Sequence, residues 1–199
     1  MMFPPIPETT SSLSFSQRWA HYVTLGAILS MVLLGIVLRE TIRWRLTVYQ
    51  DARTGIVAPY PANWLLDQSG ADYVFRVRDM QALGFKTTIQ LSIVPVGTAT
   101  TERNIADRLA YERSQTLIDY RQLSTESIIV DDVSAEQVTY AYISRDTSPF
   151  TEAIPTVVLG TDIVVLTRGQ ALVITFRSEA GQYQDNYEYF RRFLAGLEY

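Results

Sequence analysis

The chain has 199 residues, no cysteine and one histidine, with 21 acidic and 17 basic side chains for a net charge of −4. Disulfides, thiolate metal sites, cysteine nucleophiles and any site built on more than one imidazole are excluded. Charges of both signs are mixed along the chain, without the basic field that nucleic-acid binding needs. Residues 1–17 are a Pro- and Ser-rich tail with one charge, Glu8. Such a composition predicts no packed core of its own. Its apolar residues Phe3, Ile6, Leu13 and Phe15 are anchors that an extended Pro-containing segment can lay into a groove on a partner. Phe3 and Ile6 are therefore interface candidates.

Residues 18–42 form the next segment. Between Arg18 and Arg39 run 20 residues without Lys, Arg, Asp or Glu. A helix of that length spans about 30 Å, the thickness of a bilayer's hydrocarbon core. The run is too long for a signal-peptide core, has little positive charge before it and is followed by no small-x-small site, so an uncleaved anchor is expected. Trp19 and Tyr22 at one end and Trp44 at the other suit the two interfaces. Gly26 and Ser30, four apart on one helix face, are candidates for close packing against a partner helix. His21, the lone histidine, sits at the edge of the span. One Arg precedes the span, while Arg39, Arg43, Arg45 and Arg53 follow it, which leans the remainder of the chain towards the cytoplasm.

Residues 43–199 read as one α+β domain. Residues 43–50 alternate and are rich in β-formers. In 55–64, GIVAPYPANW, Ile56, Ala58 and Tyr60 share a strand face and Pro61 forces a turn before Trp64 enters the core. In 72–78, Tyr73, Phe75 and Val77 are expected inward and Val74, Arg76 and Arg78 outward. Residues 87–96 make a strand with Ile89, Leu91 and Ile93 on one side. The period then changes: Ile105, Ala106, Leu109 and Ala110 predict a helix over 102–118, N-capped by Thr101. Strands resume at 127–130 and 136–144, the second with Val138, Tyr140 and Tyr142 on one face. A turn-rich loop, 144–152, leads to strands 156–166 and 171–177, joined by a hairpin turn at Thr167-Arg168-Gly169-Gln170. Tyr183, Tyr187, Phe190, Leu194 and Leu197 form the stripe of a terminal amphipathic helix. The expected architecture is a twisted antiparallel sheet, with the terminal helix on one face and the 102–118 helix nearby.

The stretch GIVAPYPANW resembles the opening of PsbP-like domains, which begin with a strand, an aromatic–Pro pair and a Trp. The order that follows is similar to that family as well: a strand ending near Val96, a helix, a Tyr-rich strand with Tyr140 and Tyr142, a hairpin around Gly169, and a terminal helix with Tyr183, Tyr187 and Phe190. The resemblance covers residues 50–199 and implies a PsbP-like α+β domain. It also implies a non-catalytic role, since PsbP is an extrinsic subunit that steadies a photosynthetic membrane complex on its lumenal side, and relatives act as assembly factors or partner-binding modules. It places the domain outside the cytoplasm, against the Arg bias. The chain departs from the family in carrying its own apolar anchor, and with no His in the domain no His-dependent metal site carries over.

No P-loop, G-x-G-x-x-G, G-x-S-x-G or H-E-x-x-H motif occurs. Asp131, Asp132 and Glu136 are the densest acidic cluster, read either as oxygen ligands for Ca²⁺ or, more simply, as a solvated turn. Asp51, Asp67 and Asp72 are scattered. Tyr189 and Tyr199 fall off the terminal stripe, and Arg191 and Arg192 stand beside Tyr189. Tyr and Arg are the types that anchor protein interfaces, so Tyr189, Arg191 and Arg192 are interface candidates, with ordinary amphipathic surface as the plainer alternative.

These features together predict a non-catalytic accessory or assembly subunit of a multi-subunit membrane complex in respiratory or photosynthetic electron transfer. One transmembrane helix would tether it among other integral membrane subunits, with no cofactor or nucleic acid. The alternative is a membrane-anchored ligand-binding or sensor domain, which needs a sizeable pocket with converging polar groups. A carboxylate-based hydrolase needs two acidic side chains in one cleft.

Overall fold

The uncharged run folds as part of one helix, α1 (Phe15–Arg43), of 29 residues. In the computed structural model, which describes residues 15–97, 99–145 and 155–199, the chain divides into two units, Met1–Arg45 and Leu46–Tyr199. Phe3, Ile6 and Leu13, and most of the 144–152 loop, lie outside the described residues. Within α1, Trp19–Ile42 has a mean hydropathy of 2.1 over its most apolar window, none of which is buried inside the protein. Those 24 residues make a rod of about 36 Å, long enough to cross a bilayer. Two of its hydroxyls are satisfied within the helix: Thr24 donates to the Ala20 carbonyl at 2.9 Å and Thr41 to Val37 at 2.8 Å.

The second unit begins with β1 (Leu46–Gln50) and β2 (Val57–Pro61), an antiparallel pair in register Leu46 to Pro61. Ile56, Ala58 and Tyr60 are buried on one face, as the alternation predicts. The chain then enters a seven-stranded antiparallel sheet. Its first strands are β3 (Leu65–Asp67), β4 (Phe75–Arg78) and β5 (Thr88–Pro95). Helix α2 (Glu102–Thr116) follows, capped by the Thr101 hydroxyl, which accepts from the Asn104 amide. The remaining strands are β6 (Ile118–Val130), β7 (Val133–Ser144), β8 (Thr156–Thr167) and β9 (Gln170–Glu179), and α3 (Tyr183–Ala195) closes the fold. The spatial order is β3-β4-β5-β9-β8-β7-β6.

Two hairpins owe their tightness to backbone in the left-handed region. Arg168 and Gly169, at φ 48° and 78°, join β8 to β9, with Thr167 opposite Gln170. Asp131 and Asp132, at φ 49° and 61°, join β6 to β7, with Val130 opposite Val133. Both central residues at positive φ match the right-handed twist of the flanking strands, and Asp tolerates that region better than most side chains.

Three expectations are corrected. The helix predicted to reach residue 118 stops at Thr116, and Ile118–Val130 is a strand where only 127–130 was expected. This is the sheet's outer strand, and two register shifts, between Ile118 and Arg121 and between Gln122 and Ser124, break its alternation. The two helices lie on opposite faces of the sheet rather than near one another. Tyr73, expected inward beside Phe75 and Val77, lies instead with the Arg76 guanidinium 4.5 Å above its ring.

The α3 face buries Phe75, Val77, Ile89, Leu91, Ile163, Ile174 and Phe176 against Phe190 and Phe193 of the helix and against Ile56, Ala58 and Trp64. Phe176 and Phe190 stack at 5.0 Å between centroids. Each such ring contributes about 1.5–3 kcal/mol by leaving water. Polar bonds fix the start of α3: Asn186 donates to Thr87 at 2.9 Å and to Ser178 at 3.0 Å, and Tyr183 bonds Thr161. The opposite face packs Val138, Tyr140, Tyr142, Val158, Val164 and Val173 under Ile105 and Ala106 of α2. There Arg113 grips Asp162 through two nitrogens, donates to Thr175 at 3.1 Å, and lies 5.1 Å over the Tyr140 ring. Burial works against the Arg113 charge, but the Asp162 carboxylate overrides it and raises its pKa. Two parallel hydrogen bonds and the Thr175 hydroxyl offset the cost of burying the guanidinium.

Candidate functional site

The strand register writes out two rows of side chains on the α2 side of the sheet. One runs Arg78, Thr88, Arg177, Gly160, Tyr140, and the next runs Asp67, Arg76, Gln90, Thr175, Asp162, Val138. The alternation of β4 creates their basic ends: Phe75 and Val77 enter the α3-side core, so Arg76 and Arg78 project to the other face. Helix α2 lies over β6, β7 and β8, and so the far end of each row is roofed. The near ends line a cavity of about 270 Å³ instead.

Arg76, Arg78 and Arg177 line this cavity together with Lys86, from just before β5, and Arg145, from just after β7. Among the described residues, no carboxylate lines it. Asp67, beyond its wall, receives Arg76 at 2.8 Å and Arg78 at 3.4 Å. Asp67 also accepts from the Ser69 hydroxyl at 2.6 Å and from Tyr73 at 2.8 Å. The Ser69 hydroxyl and then the Arg76 guanidinium hold its carboxyl well below the usual carboxylate range. One carboxylate thus serves two of the five cations. Among the described residues, no ion pair engages Lys86, Arg145 or Arg177. The Nε atoms of Arg76, Arg78 and Arg177 are buried and have no acceptor.

A larger cavity of about 530 Å³ opens beside the β1–β2 turn, with Asp51, Arg53, Thr54, Asp72 and Tyr73 in its wall. Sequence separation concealed that Asp51 and Asp72 share a cavity. Asp51, however, is committed to its own turn, accepting from the Arg53 amide at 3.0 Å and the Thr54 hydroxyl at 2.8 Å. Those bonds lower its pKa, the opposite of what a general acid requires.

Asp131 and Asp132 are exposed in their hairpin turn, as a solvated turn expects. Glu136 parts company with them: it is buried on the α2 side, where it accepts from Arg103 and from Ser127, each at 2.8 Å. Gly26 and Ser30 lie on the exposed α1, and a Cβ at Gly26 would meet nothing within 4 Å. Tyr189 is half-buried, its ring 5.6 Å from that of Trp64, so part of it belongs to the core. Arg191 and Arg192 are exposed and both pair with Glu188. The basic cavity was missed from sequence, although two Arg on one face of a short strand hinted at it.

No family model and no curated protein sequence matches the chain. Solved structures do match. The solution structure of cyanobacterial PsbP (CyanoP) from Synechocystis sp. PCC 6803 aligns at 16% identity and a TM-score of 0.55, covering 77% of this chain and 91% of that one. LpqN, involved in cell envelope biogenesis of Mycobacterium tuberculosis, aligns at 12% identity and 0.53, covering 77% and 89%. The Ran-binding protein Mog1p of Saccharomyces cerevisiae aligns at 8% and 0.51, covering 77% and 95%. At such identities the shared property is the path of the backbone, which is the path that the residues of 50–199 suggested. The α+β unit Leu46–Tyr199 has the PsbP-like fold.

Proposed function

We propose that the protein is a non-catalytic accessory or assembly subunit of a multi-subunit membrane complex. In this reading α1 holds it in the membrane as a single-pass anchor and the PsbP-like domain engages neighbouring subunits. The observation that carries it is Trp19–Ile42, a helix apolar on every side and unburied by its own chain. Such a helix needs lipid around it, and its Gly26/Ser30 face admits close approach by another span. Support for a partner-binding domain comes from the fold, whose other bearers are named for envelope biogenesis or for binding Ran rather than for a reaction. A setting in respiratory or photosynthetic electron transfer follows from the resemblance to PsbP alone. Tyr189, Arg191 and Arg192 form one small surface for such contacts.

The test is the protein's size in mildly solubilised native membranes. Co-migration with other integral membrane subunits, far above the 22.6 kDa of the chain, is expected on native electrophoresis. Finding it alone under every gentle condition overturns the proposal. Protease accessibility in oriented vesicles decides which side of the membrane holds the domain. The alternative, a membrane-anchored ligand-binding domain, draws on the two cavities and predicts a small molecule retained through purification.

A further inference from the structure

The basic cavity has an imbalance of donors over acceptors. The Nε–H groups of three of its lining arginines, Arg76, Arg78 and Arg177, are buried without an acceptor. Buried donors in native proteins are nearly always bonded, to protein, to water or to an ion. Among the described residues, Asp67 is the one carboxylate in contact, and it already accepts from Ser69, Tyr73, Arg76 and Arg78. Thr88 donates its hydroxyl to the Lys86 carbonyl at 2.7 Å and keeps only the weak acceptor capacity of a neutral oxygen. Lys86 directs its ammonium to the Ala82 carbonyl, which fixes it at the cavity while leaving its charge without a carboxylate. Arg78 and Arg177 flank Thr88 on one row, so two like-charged side chains rise from backbones about 10 Å apart across two strand spacings. Among the described residues, none in the lining supplies an acid to relieve that repulsion.

The occupant that fits is rich in acceptors, poor in donors and multiply negative. A neutral sugar or amide brings donors of its own. A carboxylate offers two oxygens in one plane, whereas these donors arise from β4, β9 and the ends of β5 and β7. A phosphate group offers three terminal oxygens in different directions, and Arg forks match its geometry. The volume of about 270 Å³ admits such a group with a small substituent. We propose that the cavity formed by Arg76, Arg78, Lys86, Arg145 and Arg177 is a binding site for a phosphate group, carried by a soluble phosphate ester or by a phospholipid head. This site does not depend on the subunit role proposed above, and its test reads the isolated protein rather than any complex.

The full chain is placed in phosphatidylcholine nanodiscs, and its thermal unfolding is followed while inorganic phosphate is added at constant ionic strength. Phosphate is expected to raise the melting temperature. Arg177→Gln and Arg78→Gln are each expected to raise the half-saturating concentration about tenfold or more, the loss of one charge-assisted pair of bonds. Circular dichroism of the ligand-free variants reports whether they fold. Should Arg177→Gln fail to fold, Arg145→Gln combined with Lys86→Gln, at the ends of β7 and β5, carries the same comparison. The experiment is repeated in discs that also contain phosphatidylglycerol. If these discs stabilise the wild type but not Arg177→Gln, and blunt the phosphate effect, the source is a lipid head. If phosphate acts equally in both discs, the source is a soluble ester. The proposal is overturned if phosphate gives no shift up to tens of millimolar, if chloride matches it, or if the variants respond as the wild type does. It is also overturned if an acidic peptide binds at these arginines while phosphate does not, since the site would then read protein carboxylates.

Discussion

Gly160 is the position where one added methyl group should be felt most. It lies on β8 directly opposite Tyr140 of β7, and Tyr140 fills the space that a side chain would take. A Cβ at 160 would stand 2.3 Å from the Tyr140 Cζ and 2.4 Å from Cε2. Ordinary carbon contacts are about 3.5–4.0 Å, so the overlap exceeds an ångström and falls on a rigid ring. That ring has no exposure and cannot swing aside. Tyr120 lies 5.3 Å from it and Tyr142 6.3 Å, and the Arg113 guanidinium covers its face. Overpacking of this kind costs about 1–3 kcal/mol, and the confinement of Tyr140 places it at the upper end. Gly160 is not at positive φ, so Ala regains about 0.5–1 kcal/mol of backbone entropy. The net expectation for Gly160→Ala is a loss of about 2 kcal/mol. For a domain of this size that is a fall in Tm of about 4–8 °C, read from the near-ultraviolet tyrosine signal during melting. Gly26→Ala, on α1 with nothing in reach, should leave the same transition where it was. In a Tyr140→Ala background, Gly160→Ala should cost nothing further. A neutral Gly160→Ala in the wild type, or an equal cost in both backgrounds, would refute the packing argument.

Truncating Asp162→Ala leaves Arg113 buried without its partner and should cost about 3–5 kcal/mol in denaturant melts, while Arg113→Met with Asp162→Leu together should cost much less. Asp67 has a folded pKa below its unfolded value, so it stabilises the native state above about pH 4 and this contribution fades as pH falls through the folded value. Asp67→Asn should therefore flatten the acid limb of a stability–pH profile and leave its shape near neutrality unchanged. Burial raises the pKa of Tyr140 and, with smaller opposing effects, of Tyr142 and Tyr183. Above about pH 10 the unfolded chain releases these protons first, so stability should fall with rising pH, and tyrosinate absorbance should appear together with loss of structure rather than before it.

The sequence shows its strands best where burial is one-sided. Ile56 to Tyr60, Phe75 to Val77, Ile89 to Leu91 and Val138 to Tyr142 alternate because one face of each meets a core and the other does not. That logic fails on β6, which has little core contact on either face and two register shifts, so residues 118–126 carry no period of two. It also misleads on α3. The stripe Tyr183, Tyr187, Phe190, Leu194, Leu197 omits Phe193, which is buried at 1% exposure, while Tyr187 and Leu194 are only half-buried. The helix is turned slightly from its most apolar line because Phe75 and Phe176 offer sockets to both Phe190 and Phe193. The basic cavity was hidden for another reason. Arg78 and Arg177 are 99 residues apart in number, and only the pairing of β5 with β9 sets them on either side of Thr88. Pairing register between distant strands is not a local property of either one.

The two faces of the sheet differ in how the described residues cover them. On one face, α3, the β1–β2 pair and Trp64 extend the aromatic core under strands from β4 to β8, and the terminal segment adds a bridge between Glu198 and Val57. On the other, α2 roofs the β6–β8 side and anchors itself through Arg113 and Asp162. The same row that ends buried at Asp162 begins half-exposed at Asp67 and Arg76. Under the roof, an arginine and an aspartate meet through two hydrogen bonds. Beyond the roof, two of five cations share one aspartate, and no ion pair among the described residues engages the other three. Stability alone would favour apolar side chains or more carboxylates at Arg76, Arg78 and Arg177, because unmatched buried donors and neighbouring like charges both oppose folding. An anion bound in the cavity, as proposed, would offset the like-charge repulsion in the folded state only, and so link occupancy of the cavity to stability of the domain.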